Sequence, residues 1–173
     1  MESGPRTLYV AMPAKVMAYW LDLQELAGLR GDSVSTLLPH VTLQYCGKEV
    51  SDDLALRVKR VWEEALGAAQ LSEEDIVLHP LNEFALYGKE HDTLVVKCKV
   101  SDKLTDAVGV ARQRTCALGG IVESDFDFSP HVTLGTAHTL PKIDKWPETP
   151  RIVMDSVVLF GPSSEVREGI RLP

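Results

Sequence analysis

One pentapeptide, Pro-His-Val-Thr-Leu, occurs twice and unchanged, at residues 39–43 and 130–134. Its β-branched and apolar residues make each copy a strand. Alternate residues of a strand share a face. His40, Thr42, Gln44 and Cys46 are therefore expected on one face and Val41, Leu43 and Tyr45 on the other. The second copy sorts in the same way, with His131, Thr133, Gly135 and Ala137 against Val132, Leu134 and Thr136. The apolar set belongs against helices. The other set places an imidazole and a hydroxyl from each copy on the opposite face, which is costly in a core unless something polar occupies the space between. Packing alone has a use for Val and Leu but none for His and Thr. The repeat thus predicts two similar halves meeting around a polar cleft.

The segments around the repeat supply the elements such halves need. Thr7 to Met12 is a β-prone run, and Pro13 is expected in the first turn of a following helix over residues 14–29. Ser51, ahead of Asp52 and Asp53, is a good N-cap for a second helix whose Leu54, Val58, Val61, Trp62 and Leu66 hold helical spacing. Residues 76–81, 84–87 and 93–100 read as strands, with a polar hairpin connection at residues 88–92. Ser101 caps a third helix that Gly119-Gly120 stops. Residues 141–150 form a Pro-bounded loop, and strands are expected over 152–160 and 165–172. The sequence of elements is α+β. No linker interrupts it, so residues 1–173 are expected to form a single domain.

Charge narrows the ligand. Eighteen basic residues against 25 acidic ones give a formal charge of −7, which leaves no broad cationic surface for a long nucleic acid. A small or terminal phosphate ligand fits better. Cys46, Cys98 and Cys116 are far apart, odd in number and without zinc-type spacing, so reduced thiols are expected. The N-terminus lacks a basic, then apolar, leader pattern, and no run approaches a membrane span. A cytoplasmic monomer with no membrane association is the expectation.

Phosphodiester hydrolysis needs groups on both sides of phosphorus, since the attacking water and the leaving oxygen lie roughly in line. Two matched histidines supply that geometry. One, neutral, takes a proton from water while the other, protonated, gives one to the leaving oxygen. An ordinary histidine pKa near ~6.5 suits both tasks. Thr42 and Thr133 would donate hydrogen bonds to the non-bridging oxygens. His40, Thr42, His131 and Thr133 are accordingly the catalytic candidates, with no metal and no cofactor. A metal site would need carboxylates such as Asp125 or Asp127 to converge on the histidines, and a His-x-Thr triplet lacks ligand spacing. His79, His91 and His138 are expected to be structural or exposed, Tyr45 to be core, and Phe84, Tyr87 and Trp146 to be structural as well.

Paired His-x-Thr motifs, an N-terminal Leu-Tyr-Val-Ala-Met-Pro strand, a first motif reading His-Val-Thr-Leu-Gln-Tyr-Cys-Gly and closing Val-Val-Leu-Phe-Gly-Pro and Glu-Val-Arg-Glu-Gly-Ile-Arg-Leu-Pro segments resemble the two-histidine (2H) phosphoesterase superfamily. That superfamily includes the LigT-like 2'-5' RNA ligase and 2',3'-cyclic phosphodiesterase proteins. The resemblance implies a bilobal α+β fold, two sheet-and-helix lobes with a central cleft, and His40, Thr42, His131 and Thr133 on the cleft floor. It also implies 2',3'-cyclic, 2',5'-linked or cyclic nucleotide phosphodiester substrates, including RNA ends. Tyr9 would lie on the cleft face of the first strand, placed to stack on a base, and Gln44 is a further substrate-contact candidate. The LigT-like branch often carries Ala-Arg directly after its second motif, whereas this chain has Gly135-Thr136. That departure keeps branches that cleave cyclic-nucleotide or oligoadenylate signals in view. The alternative reading is a non-hydrolytic sensor or sponge that holds a cyclic nucleotide without cutting it.

Overall fold

A strand–helix–strand unit ending in the pentapeptide is built twice. The computed structural model describes residues 6–36, 38–121, 127–160 and 166–171. The first unit is β1 (Arg6–Pro13), α1 (Met17–Leu26) and β2 (His40–Val50). A second helix, α2 (Asp52–Ala69), and a long strand, β3 (Val77–Tyr87), lead into the other unit. That unit is β4 (Thr93–Lys99), α3 (Asp102–Cys116) and β5 (His131–Thr136). Three strands follow: β6 (Ile152–Val153), β7 (Ser156–Phe160) and β8 (Val166–Arg171).

Capping serine sets two of the helix starts. Ser51 Oγ accepts from Leu54 N at 3.1 Å and Ser101 Oγ from Leu104 N at 3.0 Å, each satisfying an amide that the first turn leaves without a helical partner. The first helix begins differently from expectation. Pro13 closes β1, opposite His40, and α1 starts only at Met17, after Val16 in left-handed conformation (φ 69°). The corner is held instead by the Trp20 indole, which donates to the Ala14 carbonyl at 2.8 Å. Residues 77–87 form one strand rather than two, with Asn82 (φ 54°) where the register shifts between Pro80 and Phe84. The run over 152–160 divides into β6, which pairs with β3, and β7, which pairs with β1 and β8.

The strands make one antiparallel sheet in the order β6-β3-β4-β5-β2-β1-β7-β8. Each half contributes four neighbouring strands, and the two pentapeptide strands meet at the seam, where Val41 pairs with Val132. This is a mixed α/β architecture with the two lobes joined edge to edge. Buried residues of all three helices and of the sheet, among them Trp20, Leu23, Trp62, Leu104, Val41, Val96 and Val132, form the main core on one face. Ala11 and Val158 form a separate small cluster on the other face. Among the described residues, no helix is long and apolar enough to cross a membrane.

Candidate active site

The helix-free face at the seam carries the repeated polar residues. In an antiparallel pair with Val41 opposite Val132, Thr42 falls beside His131 and His40 beside Thr133. Each histidine is therefore matched with the other motif's threonine. All four are partly exposed, while Val41, Leu43, Val132 and Leu134 are buried at 0–2% exposure.

Both imidazoles are aimed by the same local device. His40 Nδ1 donates to the Leu38 carbonyl at 2.7 Å and His131 Nδ1 to the Ser129 carbonyl at 2.9 Å, two residues upstream in each case. A carbonyl only accepts, so the proton resides on Nδ1 and Nε2 is the nitrogen that titrates. The proline between carbonyl and histidine is anchored identically. Pro39 O accepts from Ala14 N at 2.8 Å and Pro130 O from Cys98 N at 2.9 Å. Burial lowers the pKa of both histidines below the ordinary value, partly offset by these carbonyl bonds, and the neighbouring His40 charge lowers that of His131 further.

A β-bulge changes the parity past each motif. Ala11 pairs with Thr42 but Val10 with Gln44, leaving Leu43 as the extra residue; Val95 pairs with Thr133 but Leu94 with Gly135, leaving Leu134 extra. Gln44 is consequently turned into the core, 4% exposed, where its side-chain carbonyl accepts from the Trp62 indole at 3.2 Å. It lies on the face opposite the histidines, which corrects its expected place as a substrate contact. Cys46 is likewise buried, its thiol pushed up to about 12 by burial. Tyr45, expected in the core, emerges beside Tyr9 with ring centroids 5.0 Å apart. The corresponding step on the other strand turns Gly135 inward and exposes Thr136.

Tyr9 is 36% exposed next to Ala11 on the helix-free face. Sequence reasoning missed three neighbours. Tyr45 was hidden by the bulge. Tyr87 places its ring edge-to-face with His131, centroids 4.8 Å apart, and Lys97 stands opposite His131 in register. Phe84 and Trp146 stack at 4.6 Å but pack against the main core. His79, His91 and His138 are exposed. Among the described residues, no three His, Cys, Asp or Glu side chains cluster as a metal site; Asp125 lies outside the described residues.

The twofold-repeated strand–helix–strand architecture is shared over nearly the whole chain with solved structures of LigT and of a phosphoesterase. Escherichia coli LigT in its apo form superposes with a TM-score of 0.64 over 98% of this chain and 99% of that one, at 15% identity. LigT complexed with 3'-AMP gives 0.62 over 97% and 98%, at 14% identity. The Thermus thermophilus protein TT0787 gives 0.60 over 96% and 97%, at 19% identity. At such identities the likeness is one of fold. No family model matches the sequence, and no curated protein matches it.

Proposed function

We propose that the protein is a phosphodiesterase that opens 2',3'-cyclic, 2',5'-linked or cyclic nucleotide phosphodiesters by histidine acid–base catalysis, without a metal. The observation that carries the reading is the duplicated seam. Two imidazoles present equivalent Nε2 atoms, each beside the other motif's threonine. One Nε2 takes the proton of the attacking water and the other protonates the leaving ribose oxygen, while the two hydroxyls donate to the non-bridging oxygens. Structures of LigT with 3'-AMP and with ATP make a small nucleotide ligand a natural choice for this cleft.

The test is incubation with 2',3'-cyclic mononucleotides, 2',5'-linked oligoadenylates and cyclic di- and trinucleotides in EDTA, with products followed by mass. Conversion of one class, retained in EDTA, supports the proposal and chooses the substrate. Recovery of every compound intact, with one of them bound, selects the non-hydrolytic binding protein instead.

The pH profile has a defined direction. Burial holds both histidines below their ordinary pKa, so at neutral pH the doubly neutral pair predominates and the general acid is scarce. The singly protonated pair that catalysis needs accumulates as pH falls below ~6.5, and is lost again when the second site protonates. A bell-shaped kcat/KM, which reports the free protein, is expected with its maximum on the acid side of ~6.5. A maximum above pH 7 would contradict it.

The Tyr9 and Tyr45 rings offer a platform for the nucleobase beyond Thr42. Base stacking is worth ~1–3 kcal/mol per base. Tyr45→Ala is expected to raise KM for a nucleotide substrate about tenfold or more, and Tyr45→Phe to leave it close to wild type. Equal KM for Tyr45→Ala and wild type would remove the platform.

A further inference from the structure

The pseudo-twofold is broken by charge at one position. The register places Lys97 opposite His131 and Pro13 opposite His40, so these two occupy equivalent places on the outer side of their histidines. Ala11 and Val95 are the equivalent partners of Thr42 and Thr133, and both are 0% exposed. Lys97 is thus the one charged residue among the four that flank the two motifs. Directly opposed residues of antiparallel strands have their Cβ atoms ~5 Å apart on the same face. The lysine stem therefore starts beside the imidazole, on the helix-free side.

Its ammonium is held on the sheet surface by Glu83 of β3, with Nζ to Oε1 3.4 Å and side chains 37% and 58% exposed. An exposed pair of this length is worth little and is screened by salt. A phosphate dianion or diester competes for the same ammonium and can approach to the ~2.7–2.9 Å of a strong charge-assisted hydrogen bond, closer than the 3.4 Å contact with Glu83. Thr136, which follows Gly135 on the helix-free face, is neutral, so among the described residues placed directly opposite the two motifs Lys97 supplies the positive charge.

We propose that Lys97 forms a second-phosphate subsite on the His131 flank, so that the protein prefers substrates carrying a phosphate beyond the one held at the histidines. The inference rests on the phosphodiesterase reading for where the first phosphate lies. It deepens that reading by favouring oligonucleotide and 5'-phosphorylated ligands over 2',3'-cyclic mononucleotides. Glu83 acts as the competing anion that any such substrate displaces.

A matched pair isolates the extra phosphate: adenosine 2',3'-cyclic phosphate and the same compound carrying a 5'-phosphate. Affinities are measured by calorimetry on a His40→Ala/His131→Ala protein, so that turnover is not needed, and kcat/KM on the wild type. The 5'-phosphorylated compound is expected to bind about tenfold more tightly at low salt, the ratio falling as salt is added. Lys97→Met should bring the ratio close to one, and Glu83→Gln should raise it a few-fold. A lysine needed only for folding would not move this ratio. Equal affinities for the two compounds, no binding of either, or an undiminished ratio in Lys97→Met overturns the subsite. An intact binding ratio with no turnover by the wild type would overturn the phosphodiesterase reading and leave the subsite standing.

Discussion

Replacing His40 by alanine is expected to lower turnover of the phosphodiester by about 10²–10⁴-fold, and replacing His131 to do the same. The equivalence of the two losses is the informative part. Both imidazoles are oriented by a carbonyl two residues upstream and both lie beside a threonine across the seam, so comparable losses are expected of the two. Because acid and base act in one step, the double variant should lose little more than either single one. Thermal melting should hardly change, since both rings lie on the helix-free face outside the two apolar clusters. Thr42→Val and Thr133→Val retain shape and remove a donor, and a loss of about 10²-fold is expected for each. Melting curves overlaid on wild type, with product formation followed by mass, check all of these. Full activity in the double histidine variant would sink the mechanism.

Gly135→Ala is expected to be the most damaging small substitution in the chain. A Cβ at this position would stand 2.0 Å from the Ser33 carbonyl oxygen and 3.0 Å from Leu29 Cδ1. The turn that it would strike, Gly31–Ser33, has little freedom to withdraw. Val34 bridges to Gly135 itself, and the Leu134 carbonyl exposed by the bulge accepts from Ser35 N and from the Gln24 amide, each at 2.9 Å. Overpacking against fixed backbone costs about 3 kcal/mol at the upper end of the usual range. For a chain of this size that lowers Tm by ~6–12 °C. Gly67→Ala supplies the contrast. Gly67 lies within α2 with open space around its Cβ position, so the same methyl group should stabilise by ~0.5–1 kcal/mol. Differential scanning calorimetry distinguishes the two signs. A Gly135→Ala melting point within a degree of wild type would mean that the turn yields freely.

The Gly135 environment also gives a steric reason for the dipeptide that follows the second motif. Only a hydrogen fits against the Ser33 turn, whereas Thr136 is exposed and faces no such limit. The sequence could show that an arginine is missing there but not that Lys97, 39 positions earlier than Thr136, stands on the same face. Strand register brings them together, and register is a long-range property.

What the sequence determined by itself was a set of features that rest on near-neighbour chemistry. Two identical strands, the serine caps at residues 51 and 101, the glycine stop after α3 and the pairing of His with Thr at a two-residue spacing all follow from near-neighbour preferences, and the structure places each of them as the pattern implied. Parity was legible only as far as the ladder is regular. The extra residue directly after the threonine of the first motif moved Gln44 and Cys46 into the core and brought Tyr45 out beside Tyr9, because an inserted residue reverses the side chains that follow it. The bulge is decided by what lies outside the strand: a carbonyl taken by Ser35 and Gln24 in one copy, an indole waiting for Gln44 in the other. The two motifs are the same in sequence, so the differences between their surroundings, the Tyr9–Tyr45 pair on one flank and Tyr87 with Lys97 on the other, belong to the tertiary structure alone.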